Sequence, residues 1–140
     1  MRIASVIALV FLAACSKGAQ HGTLRPGYYL GEGRNRLCVK GEGTAQQVAF
    51  IAYGQIGDSN CAAEGRVEVK GYALALVPRG EGDCRIPIGH DGDIVRLGPG
   101  PAACAYYCGP GSSLTGQTYR WADTSTAEIA PDPLMPGDVC

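Results

Sequence analysis

The chain has 140 residues, with 12 basic and 13 acidic side chains and a formal net charge of −1. This length suits one domain with a real hydrophobic core. The sequence has no basic excess and no run of like charges, so it does not favour a nucleic-acid-binding protein, and we expect no nucleic-acid partner.

The N-terminus predicts an export signal. Met1-Arg2 is followed by an apolar stretch from Ile3 to Ala14 in which Ser5 is the one polar residue. About 20 apolar residues are needed to span a bilayer, so this stretch is too short for a membrane helix. A buried N-terminal helix is the alternative, and the lack of an amphipathic face disfavours it.

The end of this signal, Leu12-Ala13-Ala14-Cys15, resembles the lipobox of bacterial lipoproteins. The resemblance covers residues 1–16 and implies cleavage before Cys15, with lipid attached to its thiol and new amino group. Ser16 in place of an aspartate implies the outer membrane, and we expect the protein on its periplasmic side. Several acyl chains on one cysteine form a stable membrane anchor. The alternative is an ordinary secretory signal that releases a free exported protein.

Three regions follow from this interpretation. Residues 1–14 are the signal peptide, and residues 15–26 are the lipidated cysteine and a short polar tether. Residues 27–140 form a single β-rich domain with an irregular, proline-rich C-terminal tail.

The domain reads as short β-strands separated by glycine turns. In "QQVAFIAYG" (46–54), Val48, Phe50 and Ala52 fall on one face and Ala49 and Ile51 on the other. Lys70-Gly71 and Asp91-Gly92 are predicted hairpin turns. We expect an all-β antiparallel meander of about eight strands, closed into a small barrel or a sandwich. The runs that support it are 27–31, 35–41, 46–54, 65–71, 72–78, 84–89, 93–98, 104–108 and 114–122.

The cysteine count supports the lipid interpretation. The chain has seven cysteines, and an odd number in an exported protein leaves one thiol to explain. If Cys15 carries lipid, six remain for three disulfides, which the oxidising periplasm allows. Cys38, Cys61 and Cys84 are 23 residues apart in turn, each leading a similar hairpin-sized run. The pairing we expect is Cys38–Cys61, Cys84–Cys104 and Cys108–Cys140.

The segment "CAYYCG" matches no known cofactor motif. Cys104 and Cys108 are one residue too far apart for a C-x-x-C redox or zinc pair, and Gly109 stands where a haem motif needs histidine. We therefore expect no metal and no cofactor. An extended segment separates the two Cα atoms by about 13 Å, so each cysteine should bond a different partner. A helical turn between Pro101 and Gly109 is the alternative conformation.

The serines that follow are predicted turn residues rather than nucleophiles. "GPGSSLTG" lacks the lysine of a phosphate-binding loop, and Thr115 stands where a nucleophile elbow needs its last glycine. We predict that the protein is not an enzyme. A hydrolase remains the lesser alternative, and it requires His90, Ser112 or Ser113 and an acidic residue in one cleft.

The aromatic residues Tyr106, Tyr107 and Trp121 are the candidate binding surface for a protein partner in the envelope. The predicted function is a lipid-anchored, non-catalytic binding or envelope-maintenance role. A small-molecule carrier is the alternative, and it needs an open barrel interior.

In size, anchor and architecture, the chain resembles the membrane-bound lysozyme inhibitors, which are small β-barrel envelope lipoproteins. The resemblance implies inhibition of a host or rival hydrolase. Those inhibitors open their domain with a Tyr-x-Cys strand, whereas this chain has Gly27-Tyr28-Tyr29-Leu30 at that place. No functional residue is therefore carried over.

Overall fold

The computed structural model describes residues 22–80 and 82–122. Eight antiparallel strands follow one another in chain order, and β8 pairs with β1 to close the barrel. The predicted all-β meander of about eight strands is confirmed, as a barrel rather than a sandwich. The strands are β1 (Gly27–Leu30), β2 (Arg36–Lys40), β3 (Gln47–Tyr53), β4 (Asn60–Lys70), β5 (Ala73–Pro78), β6 (Ile86–Asp91), β7 (Ile94–Leu97) and β8 (Gln117–Trp121).

Several predictions fall on residues that the structure does not describe. The signal peptide, the lipidation site Cys15 and the tail that ends in Cys140 lie outside the described residues. Among residues 22–80 and 82–122, no helix has the length and apolar character needed to cross a membrane.

The barrel forms because its strands alternate apolar residues with a period of two. In β3, Val48, Phe50 and Ala52 belong to the core cluster, as predicted from their spacing. Side chains fill the interior, as expected for a barrel of eight strands. Each large apolar side chain taken out of water contributes roughly 1.5–3 kcal/mol. The largest fully buried side chains of this cluster are Tyr29, Tyr119, Phe50, Leu37, Leu76 and Ile86.

Two hairpins turn through two-residue loops that begin with glycine. Gly71 and Gly92 have φ values of 60° and 55°, the left-handed region that glycine enters without steric cost. The strands pair as far as Lys70↔Ala73 on either side of the first loop. The predicted hairpins are confirmed, but each turn is centred one residue later than predicted, which places glycine first as in a type II′ turn.

The meander gives the barrel two distinct ends. We call the end where odd-numbered strands finish the upper end; it carries the connections 31–35, 54–59, 79–85 and 98–116. The lower end carries the short connections 41–46, 71–72 and 92–93, together with residues 22–26, which lead into β1.

A 3-10 helix, Ala102–Tyr107, replaces the strand predicted around "CAYYC". Pro101 precedes the helix with φ −67°, and the N–H of Cys108 donates to the Ala105 carbonyl at its end. The helical alternative is therefore the correct one. A second 3-10 helix, Gly43–Ala45, lies in the connection between β2 and β3.

The structure describes two disulfides, Cys84–Cys104 and Cys61–Cys108. The first was predicted, and the two cysteines of "CAYYC" do bond different partners. The predicted pairs Cys38–Cys61 and Cys108–Cys140 are wrong. Cys61 points into the core while Cys38 points outward on β2, so the alternation of the strands keeps these two apart. Cys108 is not available to Cys140 because it is bonded to Cys61.

Residues 22–26 form a strap across the lower end rather than the last part of a free tether. Leu24 is 3% exposed, and its N–H donates to Oε1 of Gln46 at 2.8 Å while its carbonyl accepts from Gln46 Nε2 at 2.6 Å. The buried amide of Gln46 thus pairs with the backbone as a neighbouring strand would. Residues 22–26 therefore pack on the barrel, while residues 15–21 of the predicted tether lie outside the described residues.

A polar cleft at the upper end of the barrel

A cleft of about 580 Å³ opens between the upper-end connections. The turn between β1 and β2 and the loop after β3 contribute most of its lining. Its lining combines charged, amide and backbone groups: Glu32, Gly33, Arg34, Asn35, Tyr53, Gly54, Gln55, Gly57, Gly111, Ser113 and Gln117.

Arg34 stands across this cleft in a fixed orientation. Its guanidinium lies 4.0 Å from the centre of the Tyr53 ring and donates to the Tyr53 hydroxyl at 2.9 Å. It also donates to Oδ1 of Asp58 at 2.8 Å. An exposed ion pair adds little stability by itself, but an aromatic face and two acceptors together restrict where the guanidinium points.

Asn35 forms the floor of the cleft and joins three elements of the barrel. Its side-chain oxygen accepts from the N–H of Tyr53 at 2.8 Å, and its Nδ2 donates to Oε1 of Gln117 at 3.0 Å. Asn35 is only 7% exposed, so these hydrogen bonds satisfy a polar group that would otherwise be costly to bury. The turn before β2, the end of β3 and the start of β8 are thereby held at fixed spacing.

Tyr119 lies beneath this floor and is fully buried in the core. Its hydroxyl donates to the Ile51 carbonyl at 3.4 Å. Burial raises the pKa of the Tyr119 hydroxyl far above its ordinary value, so the group stays neutral even at alkaline pH where an exposed tyrosine ionises. The floor of the cleft therefore rests on an uncharged, packed interior.

A second, smaller cleft of about 260 Å³ adjoins the first at Ser113. It lies between the 3-10 helix Ala102–Tyr107 and the turn after it, close to both disulfides. Ser112 Oγ donates to the Gly109 carbonyl at 2.6 Å, and Ser113 Oγ accepts from the N–H of Thr115 at 3.1 Å. Both serines bond local backbone, as the turn interpretation predicts.

The three predicted surface aromatics do not form one surface. Tyr106 is 88% exposed at the upper end, where its ring meets that of half-buried Tyr107 edge to face at 5.3 Å. Trp121 ends β8 at the lower end, where the Arg25 guanidinium stacks 3.3 Å from its ring centre. The indole N–H of Trp121 donates to the Pro26 carbonyl at 3.1 Å, so this residue holds the lower strap.

The residues required by the hydrolase alternative are also apart. His90 is exposed near the end of β6 at the lower end, whereas Ser112 and Ser113 lie at the upper end. Among residues 22–80 and 82–122, no group of three or more His, Cys, Asp or Glu side chains is arranged to hold a metal ion.

The residues that build the cleft carry no pattern that predicts a site. Arg34 and Asn35 lie in "GEGRNR", a polar turn, and nothing in that pattern separates them from ordinary turn residues. Tyr53 and Gln117 come from other parts of the chain and meet Asn35 only through the barrel register. The available signal was weak, namely an asparagine directly before an apolar strand.

Comparison with models of protein families, with curated proteins and with solved structures finds no match to this chain.

Proposed function

We propose that this chain is a lipid-anchored protein on the periplasmic side of the outer membrane, with a non-catalytic binding role. It uses the upper end of its barrel to hold another protein of the envelope. The observation that carries this proposal is the contrast between a barrel interior filled with side chains and an upper end that carries both a polar cleft and the exposed Tyr106. A packed interior disfavours the carrier alternative, which needs a cavity of ligand size inside the barrel.

In this proposal, the two ends of the barrel have different roles, one in attachment to the membrane and the other in binding. Residues 22–26 cross the lower end, so an anchor on Cys15 would be attached at that end. The cleft and Tyr106 lie at the opposite end and would face away from the membrane. This places a surface with a fixed guanidinium and an exposed aromatic ring, two groups common at interface hot spots, where a partner could reach it.

Inhibition of a hydrolase is the concrete version of this role. The small closed β-barrel agrees with the architecture of the membrane-bound lysozyme inhibitors, and an outer-membrane anchor would place the chain where such enzymes attack. With lipid on Cys15, the six other cysteines would form three disulfides suited to the oxidising envelope. The residues proposed to touch the enzyme are those of the upper end.

The inhibitor version is tested with the mature chain and several lysozyme types. Equimolar protein should slow cell-wall hydrolysis by at least one lysozyme. No slowing of any type would remove inhibition but leave a different protein partner. Crosslinking in intact cells, followed by identification of the crosslinked partner, then tests the wider binding proposal, and recovery of no partner would contradict it.

Two substitutions locate the binding end. Arg34→Ala and Tyr106→Ala should each weaken partner binding by about tenfold or more, since buried Arg and Tyr side chains dominate many interfaces. The matched controls are Arg96→Ala on β7 and Tyr72→Ala in the lower hairpin, both exposed and outside the cleft. Binding constants come from titration calorimetry. Equal losses from the controls would show that the upper end is not the binding surface.

The anchor is tested by the mass of the chain in the membrane fraction. A mature N-terminus at Cys15 carrying acyl groups is expected. An unmodified chain that begins elsewhere would refute the lipobox interpretation without affecting the binding test on the soluble domain.

A further inference from the structure

The middle of the outward face of β2 and β3 is closed to solvent, although it points away from the barrel axis. Cys38, Ala49 and Ile51 are 0%, 1% and 0% exposed, respectively. Cys38 lies opposite Ala49 across the ladder and, with half-buried Tyr28, forms an apolar cluster separate from the core. Outward residues with no accessible surface must lie beneath a covering layer.

Other outward positions of the barrel are open. Pro87, Gly89 and Arg96 on β6 and β7 are exposed. The two 3-10 helices make their main contacts with β4, so neither accounts for the covered cluster on β2 and β3. The covering layer is therefore specific to one side of the barrel.

Cys38 supplies a second, independent observation. It is disulfide-bonded, yet the two described disulfides join the other four cysteines of residues 22–122. Its partner therefore lies outside the described residues. The chain offers two candidates, Cys15 and Cys140.

The path of the chain favours Cys140. β8 ends at Trp121, and the N–H of Ala122 donates to the Tyr28 carbonyl at 2.8 Å, so the chain leaves the barrel beside β1. Tyr28 is paired with Cys38 on β2. The exit thus lies about 10 Å from Cys38, or two strand spacings, and 18 residues remain to reach it.

The N-terminal candidate starts from the other side of the barrel. A side chain at Gly22 would contact His90 and Leu74, which belong to β6 and β5. In a closed barrel of eight strands, β6 lies opposite β2. The chain before Gly22 would have to cross the barrel to bring Cys15 to Cys38.

Charge and composition also fit the C-terminal segment. Residues 123–140 contain Asp123, Glu128, Asp132 and Asp138 and have no lysine or arginine. The outward residues that border the covered cluster include the basic side chains Arg36, Lys40 and Arg66. The acidic Glu64, opposite Ala49, is paired with Arg79 at 2.8 Å. The segment also carries Ile129, Leu134, Met135 and Val139, which could cover an apolar cluster.

We propose that residues 123–140 dock on the outward face of β2 and β3 and that Cys140 closes a third disulfide with Cys38. This side of the barrel is thereby an internal docking surface for the acidic C-terminal segment. The assignment rests on the proposed function at one point only, which is that lipid occupies the Cys15 thiol.

The bond forms by oxidation of two thiols. Each Sγ loses a proton, one electron pair leaves the two sulfurs, and the S–S bond forms. The electrons pass by thiol–disulfide exchange to the disulfide of a periplasmic oxidase, which becomes a dithiol.

Peptide mapping of the whole chain, extracted from membranes without reduction, tests the bond. Trypsin releases Cys38 in peptide 37–40 and Cys140 in peptide 121–140, and the two should run as one mass that separates on reduction. Linkage of 37–40 to the Cys15 peptide, or a free Cys38 thiol, overturns the proposal. The same digest shows whether Cys15 carries lipid. The absence of lipid and the absence of the Cys38–Cys140 bond are therefore distinguished in one experiment.

Thiol labelling tests the docked segment. The variant Cys140→Ser leaves Cys38 reduced but still covered, whereas a chain that ends at Ala122 uncovers it. Maleimide should label Cys38 in the truncated chain about tenfold faster than in the full-length variant, because covered groups react only during local opening. Equal labelling rates in the two chains show that residues 123–140 do not cover this face. The peptide map of the unaltered chain decides the matter if the truncated chain does not fold.

Discussion

At the scale of single residues, the buried tyrosines predict how stability depends on pH. Burial, with the nearby Asp93 carboxylate, raises the pKa of Tyr29 from 10.0 to about 12. In the folded state, the Tyr29 hydroxyl therefore keeps its proton at a pH where the same hydroxyl has lost it in the unfolded chain. The stabilising effect is complete below pH 10, and it declines as the pH rises from about 10 through about 12.

This effect is measured by urea unfolding between pH 8 and pH 12. The free energy of unfolding should fall above pH 10 by about 1.4 kcal/mol per pH unit for each buried tyrosine. Tyr29→Phe should fold at pH 7 and show a shallower decline. A decline as steep as in the unaltered chain would exclude Tyr29 as a source of the alkaline loss.

Gly65 shows that a side chain is forbidden at one buried point of β4. A Cβ at this position would lie 2.0 Å from the Val77 carbonyl oxygen of the neighbouring strand. The backbone of β5 cannot move away without disturbing its strand pairing, so Gly65→Ala should lower the free energy of unfolding by roughly 1–3 kcal/mol. The control is Gly89→Ala on β6, where the nearest atom would be 3.9 Å away. Thermal unfolding should separate the two variants, and equal melting temperatures would contradict the close approach.

At the scale of elements, the Gln46 amide holds the strap over the lower end at Leu24, while Trp121 holds it at Arg25 and Pro26. Gln46→Ala removes both hydrogen bonds to Leu24 and leaves a buried N–H and carbonyl without partners. The expected loss is about 1–3 kcal/mol, together with faster hydrogen exchange at the Leu24 amide. Gln47→Ala, one residue later on β3, is the matched control. Unchanged exchange at Leu24 in the Gln46 variant would show that the strap is held by other contacts.

The strands and disulfides also differ in how well the sequence predicts them. The alternation in β3 and the 23-residue cysteine spacing could be recognised in the sequence because they repeat along the chain. Cys38 and Cys61 lie in β2 and β4, and Cys84 lies just before β6, so each of the three begins a hairpin. The Cys61–Cys108 bond was not readable. This bond depends on which face of β4 packs against the core and on the path of the 98–116 connection over the barrel. Neither can be derived from the spacing of cysteines along the sequence.

At the scale of the whole molecule, closure of the barrel creates the cleft. Asn35 and Gln117 are separated by 82 positions in the chain and meet only because β8 returns to β1. A sequence pattern shows the strands but not their shear, so the strand count could be predicted while the residues around the upper opening could not. For the same reason, the predicted aromatic surface combined residues that closure placed at opposite ends.

If Cys15 carries lipid, as proposed, the strap at the lower end would also limit how far the molecule can act. With lipid on Cys15, only residues 16–21 lie between the anchor and Gly22, and the distance from Cys15 to Gly22 is about 25 Å even when the chain is fully extended. The barrel would then search for its partner by diffusing within a thin layer beside the inner leaflet, with its cleft at a nearly constant height. Targets arriving at the outer-membrane surface would meet it, whereas targets deeper in the periplasm would pass beyond its radius.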